Sequence, residues 1–308
     1  MNLTQKQLRM FITTAAFANV TRASEALHIT QPALTRALRE FESQLGCELF
    51  RRTTRSFVLT REGEQFLPKA HRLLSEMERV VSELGERGEE AGGTIVVGVG
   101  SAFACTVLPA AIARMARLHP AAQVRLLTGN SGAIATWVHR GEVDLGFASP
   151  VGDVSGIEFE PLLSAPLGVL GEGRKFQLGR FVTPRSLAGL PLLKDAADTS
   201  TTHLLRTYGP DLLAQMQRRA VEISDLSVQI ALAKAGIGLA VVSALGASHP
   251  EAAGLAFSRF RPAIERRLFA MWRAKEPASA VRDALLECVR DSCSEARLHR
   301  MVKILAVR

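Results

Sequence analysis

The chain has 308 residues, enough for two or three domains, and 47% of them are hydrophobic, enough for real cores. Its 38 Lys and Arg against 30 Asp and Glu give a net charge of +8, which is compatible with nucleic acid or an anionic surface and specifies neither. No stretch approaches the ~18 uninterrupted apolar residues of a membrane span, and the opening MNLTQKQLRM holds no apolar signal core, so a soluble cytoplasmic protein with no membrane partner is expected.

Thr4 can cap a helix from Gln5 to about Ala18, with Leu8, Phe11, Ile12 and Ala15 on one face. Thr21 can cap a second helix ending near Leu27, and His28, Ile29 and Thr30 make a turn. Thr30 then caps a third helix, with Gln31 and Pro32 in its first turn, where a missing N–H costs nothing. That helix runs to about Leu45, where Gly46 stops it. Ala23, Ala26, Leu27, Ile29, Ala33, Leu34, Leu38 and Leu45 form an apolar frame that would hold the two helices at a fixed angle. This is the outline of a helix-turn-helix, whose second helix is built to enter a major groove, so duplex DNA is the expected partner. The first 63 residues carry nine basic and five acidic side chains, an excess too small to argue from, so the pattern carries the reading.

The segment ELFRRTTRSFVLT, with alternation around Ser56–Leu59, reads as a small hairpin, a wing. Thr60 and Gly63 open a long fourth helix whose stripe of Leu67, Ala70, Leu74, Met77, Val81 and Leu84 calls for a partner helix. The charged, Gly-rich GERGEEAGG that follows fits a hinge. From Thr94 onward strands and helices alternate. TIVVGVG, AQVRLLTG and EVDLGFA read as strands, with a Pro109-containing helix over 102–118 and another over 130–141 between them. Further strands are expected at 165–171, 174–182, 190–193, 218–224, 239–243 and 265–273, and further helices from 199, from 225 and over 278–296. The alternation argues for parallel α/β packing in two small lobes that share crossing segments. Ligands of such sheets sit outside the C-terminal ends of strands, often where two lobes meet.

No catalytic set emerges. Ser101, Ser149, His119 and His203 form no nucleophile elbow with a recognisable acid and base, and no Walker motif is present. GVGSAF at 98–103 starts like a nucleotide-binding loop but has Phe103 where a third glycine belongs. Cys47, Cys105, Cys288 and Cys293 make no CxxC pair and no zinc-like cluster, and read as plain thiols. No cofactor and no metal are therefore expected, and an enzyme is not the reading.

The run VTRASEALHITQPALTRALREFESQLGCELFRRTTRSFVLTREGEQFL resembles the DNA-binding module of LysR-type transcriptional regulators, through the turn, the helix start, the LG stop, the wing entry and the LTxEG exit. Looser matches extend the resemblance over nearly the whole chain: Leu108–Pro109, His119–Pro120, TGNS at 128–131, RGEVDLGFA at 140–148 and LAKAGIGLAVV at 232–242. Two stretches depart from the family pattern, GEGRKFQL at 171–178 and LLKDAADTSTTH at 192–203. The resemblance implies an N-terminal all-α winged helix-turn-helix with a long linker helix, joined to an α/β two-lobed effector domain like a periplasmic binding protein. The implied boundaries are 1–62 for the DNA-binding domain, 63–91 for the linker, dimerisation helix and hinge, and 92–308 for the effector domain, with lobes of about 92–163 plus 267–308 and 164–266. The implied function is sequence-specific, transcription-regulating binding of inverted-repeat double-stranded DNA by a homodimer or homotetramer, modulated by a small-molecule effector of the organic-acid type. It admits RNA polymerase as a further partner.

Carried onto this chain, the groove helix places Gln31 and Arg36 at base edges, since glutamine pairs bidentately with adenine and arginine with guanine. Thr30 and Thr35 are assigned to phosphate or a thymine methyl, Pro32 to packing on sugar or methyl, and Arg39 lies one turn beyond Thr35. Arg52 either binds flanking phosphate or ties the hairpin to the third helix, and Arg55 is placed at the wing tip on DNA. The effector is expected among hydroxyls and amides at helix starts. The candidates are Ser101, Asn130, Ser131 and Ser149 after the first-lobe strands, and Thr199, Ser200, Thr201 and Thr202 in the second, where Ser224 and Asp225 open another helix, with Ala102 beside Ser101 and Phe103 and Leu226 as apolar walls. No buried arginine stands out as a carboxylate clamp, so a neutral polar ligand stays open beside an anionic one. The competing readings are an effector-independent repressor or architectural protein with a non-sensing C-terminal oligomerisation domain, and a solute-binding protein, which would have no use for residues 1–63.

Overall fold

The computed structural model describes residues 3–52, 57–85, 93–197, 199–217, 222–274 and 279–305. The chain divides into two compact units, the first built on residues 1–89 and the second on residues 90–139 and 143–308.

In the first unit α1 (Gln5–Phe17) starts from a capping box: Gln7 N donates to Thr4 Oγ1 and Thr4 N to Gln7 Oε1. The cap of α2 (Val20–Ala26) is Asn19, not Thr21 as the sequence suggested. The Asn19 Oδ1 accepts the Arg22 N–H at 3.1 Å, which draws Thr21 into the first turn. His28, at φ 53, turns the chain into α3 (Gln31–Leu45), capped by Thr30 and ended by Gly46 in the left-handed region at φ 71. Strands β1 (Phe50–Arg52) and β2 (Phe57–Leu59) pair antiparallel as the wing, and α4 (Arg61–Gly85) follows.

Leu8, Phe11, Leu34, Leu38, Phe41 and Leu49 are buried together, and the rings of Phe11, Phe41, Phe50 and Phe66 lie 5.3 to 6.3 Å apart in a tilted cluster. Glu42 on α3 accepts the N–H groups of Leu49 and Phe50 at 2.8 and 3.0 Å and so anchors the root of the wing. Gly63 is glycine for want of room: a Cβ there would stand 2.2 Å from the Leu49 carbonyl oxygen.

The apolar stripe of α4 is not isolated along its whole length. Leu67, Ala70 and Leu74 pack with Phe66 into the core of this unit. Leu73 and Met77 are exposed, and the side chains of Val81 and Leu84 lie outside the described residues.

The second unit opens with β3 (Gly93–Val99). Where one helix over 102–118 was expected there are two, α5 (Ser101–Thr106) and α6 (Leu108–Leu118), parted at Val107. Pro109 accounts for the break, because it offers no N–H to the preceding turn and its ring crowds the carbonyl four residues back. β4 (Ala122–Thr128), α7 (Ser131–Arg140) and β5 (Leu145–Ala148) complete a parallel set, with β3 flanked by β4 and β5.

A long strand, β6 (Ile157–Gly171), then leaves this lobe for the other. Residues 174–178, expected within a strand, instead coil into turns closed by Phe176 N to Glu172 O and Leu178 N to Gly173 O, and only β7 (Phe181–Val182) is extended. The strand expected at 190–193 reduces to a bridge from Leu192 to Leu239, followed by β8 (Lys194–Asp195). The second lobe continues with α8 (Ser200–Tyr208), α9 (Pro210–Gln217), β9 (Glu222–Ile223), α10 (Leu226–Lys234), β10 (Ala240–Ser243), two short 3-10 turns and β11 (Ala256–Phe260). β12 (Glu265–Arg273) returns to the first lobe, which α11 (Ala280–Glu295) and β13 (Lys303–Ile304) close. Helix α9 and strands β11 and β13 were not expected from the sequence.

Strands β6 and β12 tie the lobes together. Residues 157–166 of β6 pair with β12, residues 163–164 also with β13, and residues 167–171 pair with β10 and β11. Each lobe keeps its own core. Val97, Phe103, Phe147 and Leu285 lie in one, and Leu167, Val169, Leu205 and Phe260 in the other.

Candidate functional site

On α3 the residues expected to face DNA share a solvent face. Gln31, Pro32, Arg36 and Arg39 are exposed and Thr35 is half-buried, while Leu34 and Leu38 point into the core. Thr30 is exposed too, but its hydroxyl oxygen accepts the Ala33 N–H at 3.4 Å and so serves the helix first. Arg52 ends β1 opposite Phe57, and its side chain lies outside the described residues, as does all of Arg55.

The second unit encloses a cavity of about 460 Å³ between its lobes. Of the residues assigned to an effector in the sequence, Ser101, Ala102, Phe103, Asn130, Thr199, Ser200, Thr201 and Leu226 line it. Two further candidates do not reach it. Ser149 is buried and donates its hydroxyl to the Arg267 carbonyl at 2.7 Å. Thr202 is buried one residue beyond the lining stretch, with its N–H bound to Thr199 Oγ1. Asp198, within the same run, lies outside the described residues. Of the candidates that do line the cavity, Asn130 caps α7 by accepting the Ala133 N–H, and Thr199 caps α8 and donates to Asp195.

The cation among the described residues that line the cavity was not singled out in the sequence. Arg266 enters from β12, surrounded by protein except where it faces the cavity. Its Nε donates to Ser200 Oγ at 2.7 Å, Nη2 to Ser131 Oγ at 3.4 Å and Nη1 to Ser243 Oγ at 3.5 Å. Each serine is at least nine-tenths buried, and each comes from a different element. Ser131 opens α7 in one lobe, Ser200 opens α8 in the other, and Ser243 ends β10. A hydroxyl that accepts a guanidinium N–H still has its own proton to donate. None of these three donates to an acceptor among the described residues. The arrangement is a guanidinium ringed by three O–H donors that lack an acceptor, which is the chemistry of an oxyanion site.

Asp195, on β8, lines the same cavity. Its carboxylate accepts Thr199 Oγ1 at 2.8 Å, the Ala196 N–H at 3.0 Å and Gln229 Nε2 at 3.1 Å. Burial nevertheless pushes this carboxyl up to about 6, against those hydrogen bonds and the field of Arg266. Burial likewise lowers Arg266 to about 10, with Asp195 opposing. Both groups are charged at neutral pH. The other walls are apolar, with Phe103, Ile134, Trp137, Phe147 and Leu268. Gly129 makes room for the indole, since a Cβ there would fall 2.6 Å from the Trp137 ring.

The period-2 alternation of a strand could have revealed Arg266. It is in phase with Ile264, Leu268 and Ala270, all buried, whereas Glu265 and Arg267 are exposed. Among the described residues no cluster suited to a metal ion occurs, and no helix is long and apolar enough to cross a membrane. The described thiols stand apart from the cavity. Burial raises Cys293 to about 12, and Cys105 is exposed.

Comparison with known proteins covers both units. Residues 5–64 match the family model described as bacterial regulatory helix-turn-helix protein, lysR family, and residues 88–294 match the LysR substrate binding domain. The uncharacterized HTH-type transcriptional regulator YfeR of Shigella flexneri is 29% identical over 299 residues, covering 94% of each chain. The HTH-type transcriptional regulator ClcR of Pseudomonas putida is 30% identical, covering 77% of this chain and 81% of its own. The fold agrees with that of full-length CbnR crystallised with its target DNA, at TM-score 0.64 and 24% identity, over 94% of this chain and 100% of that one.

Proposed function

Because the chain belongs to the LysR family and is therefore a DNA-binding transcriptional regulator with an effector-binding domain, we propose that a small organic anion, seated on Arg266 between the lobes, modulates its action at an inverted-repeat operator. In this reading residues 1–62 bind DNA, 63–91 link and dimerise, and 92–308 sense the effector. Gln31 and Arg36 read base edges, with Thr30, Pro32, Thr35 and Arg39 on the surrounding backbone or methyl groups. The observation that carries the effector reading is the ring of three buried serine hydroxyls, each holding one arm of Arg266 and none finding an acceptor. A carboxylate offers about four lone-pair sites, enough for those protons and for the guanidinium. Ser101 and Thr201 extend the polar wall at two helix starts, where orphan N–H groups favour negative charge.

The test is a footprint on the DNA upstream of the protein's own gene, with and without a panel of small carboxylates. A protected inverted repeat whose extent or spacing changes with one carboxylate is the expected result. Protection that no carboxylate alters, with no carboxylate binding by calorimetry, would rule the reading out.

The dimer seam is placed on α4 beyond the part committed to its own core. Leu73 is 41% exposed and Met77 38%, whereas Leu74 is packed inward, so a charge at Leu74 would unsettle the winged domain rather than report on assembly. Leu73→Glu with Met77→Glu is expected to lower the sedimentation mass at unchanged helix content and to weaken operator affinity with it. An unaltered oligomer in the double variant refutes the seam.

A further inference from the structure

The cavity walls carry an unequal set of charges. Among the described lining residues Arg266 is the one cation, and Asp195 and Asp225 are carboxylates. Asp195 is buried and held, whereas Asp225 is exposed and tied at one oxygen. Asp195 is fixed by Thr199, the Ala196 N–H and Gln229, and Asp225 by the Val228 N–H at 3.0 Å, which it accepts as the cap of α10. A ligand carboxylate seated on Arg266 uses up the positive charge of the site. A second negative charge on the same ligand would then meet Asp195 or Asp225 with no cation to answer it. The remaining wall, with Phe103, Ile134, Trp137, Phe147 and Leu268, offers burial to an apolar body instead.

We propose that this cleft takes a monocarboxylate with an apolar body, and that Asp195 is the specificity-determining residue that turns away dicarboxylates and phosphate esters. The proposal rests on the effector reading above and narrows it. Two like charges about 6 Å apart at the effective dielectric of a protein site repel enough to weaken binding roughly a hundredfold. Discrimination here works by repulsion of the wrong ligand as much as by attraction of the right one.

The experiment is calorimetry on the full chain at pH 8, well above the value near 6 to which burial brings Asp195, so that its carboxylate is charged. The probes are matched pairs, hexanoate with adipate and benzoate with terephthalate, together with inorganic phosphate. The monocarboxylate of at least one pair is expected to bind about a hundredfold more tightly than its dicarboxylate, and phosphate not measurably. Asp195→Asn is expected to bring the pair within about threefold, by strengthening the dicarboxylate. Asp225→Asn, which keeps a good helix cap, should shift the ratio in the same direction by a smaller factor, and it serves if the buried variant fails to fold. A wild-type protein that binds the dicarboxylate as tightly as the monocarboxylate overturns the proposal, and so does an Asp195→Asn protein with an unchanged ratio. Either result leaves the effector reading standing. Absence of binding by both members of every pair and by phosphate overturns the effector reading and this proposal with it.

Discussion

Arg266→Gln is expected to remove effector binding and leave DNA binding in place. Truncating one partner of a buried, hydrogen-bonded charge interaction costs about 2–5 kcal/mol, a factor of roughly 30 to 5,000 in Kd. The variant keeps a polar side chain of similar reach, so the loss reports charge and the three-way fork rather than volume. Arg266→Lys separates those two, since an ammonium restores the charge but not the planar set of donors that now reaches Ser131, Ser200 and Ser243. Calorimetry with the best carboxylate measures the loss, and a mobility-shift titration on operator DNA checks that the other unit is intact. Binding within threefold of wild type in Arg266→Gln would remove Arg266 from the site. The same variant has a pH signature. Asp195 titrates near 6 in the fold, above the usual aspartate range of about 3.9. Its contribution to stability is therefore present below about 3.9 and is lost as pH rises through 6. Without the arginine the folded value moves higher still. Arg266→Gln should accordingly lose thermal stability relative to wild type at pH 8 and recover part of it on acidification toward pH 5.

Gln31→Ala and Arg36→Ala are each expected to lower discrimination between operator and scrambled duplex by about 1–3 kcal/mol. Both residues are exposed on α3, with Leu34 and Leu38 holding the opposite side in the core, so neither change opens a cavity. Alanine is a strong helix former and the thermal midpoint should hold. Competition binding against scrambled DNA gives the readout, and unchanged preference in both variants would place base reading elsewhere. Arg39→Ala should act differently, weakening all duplexes alike and flattening the salt dependence by about one unit if its contact is a phosphate.

How much the chain reveals by inspection depends on whether a signal is local. Caps and stops lie within four residues of what they control, which is why Thr4, Thr30 and Gly46 could be placed correctly. Asn19 and Thr21 both qualify as caps, and only the geometry of the turn chooses between them. The hydroxyl-bearing helix starts were legible for the same reason, and most of them do line one cavity. Arg266, Asp195, Gln229 and Ser243 were not, because these partners lie 23 to 66 positions apart in the chain. Arg266 to Ser131 spans 135 positions. Ser149 illustrates the converse error. It follows a strand in the same manner as Ser101, but its hydroxyl is spent on a carbonyl 118 residues away, which no local pattern records. The departure from the family pattern at 192–203 proved informative, since that stretch contains Asp195, Thr199, Ser200 and Thr201, four of the residues that line the cavity.

The Glu42 carboxylate accepts two backbone N–H groups at the root of the wing, so the described part of the wing is fixed to α3 at that root. A duplex that engages both must match their spacing or adopt it. Stiff tracts of the wrong groove width then bind poorly even with every contacted base correct, and steps that deform easily bind well without being touched. Where both contacts are made, base pairs lying between them become part of the recognised sequence, selected for compliance and not for their hydrogen-bonding edges.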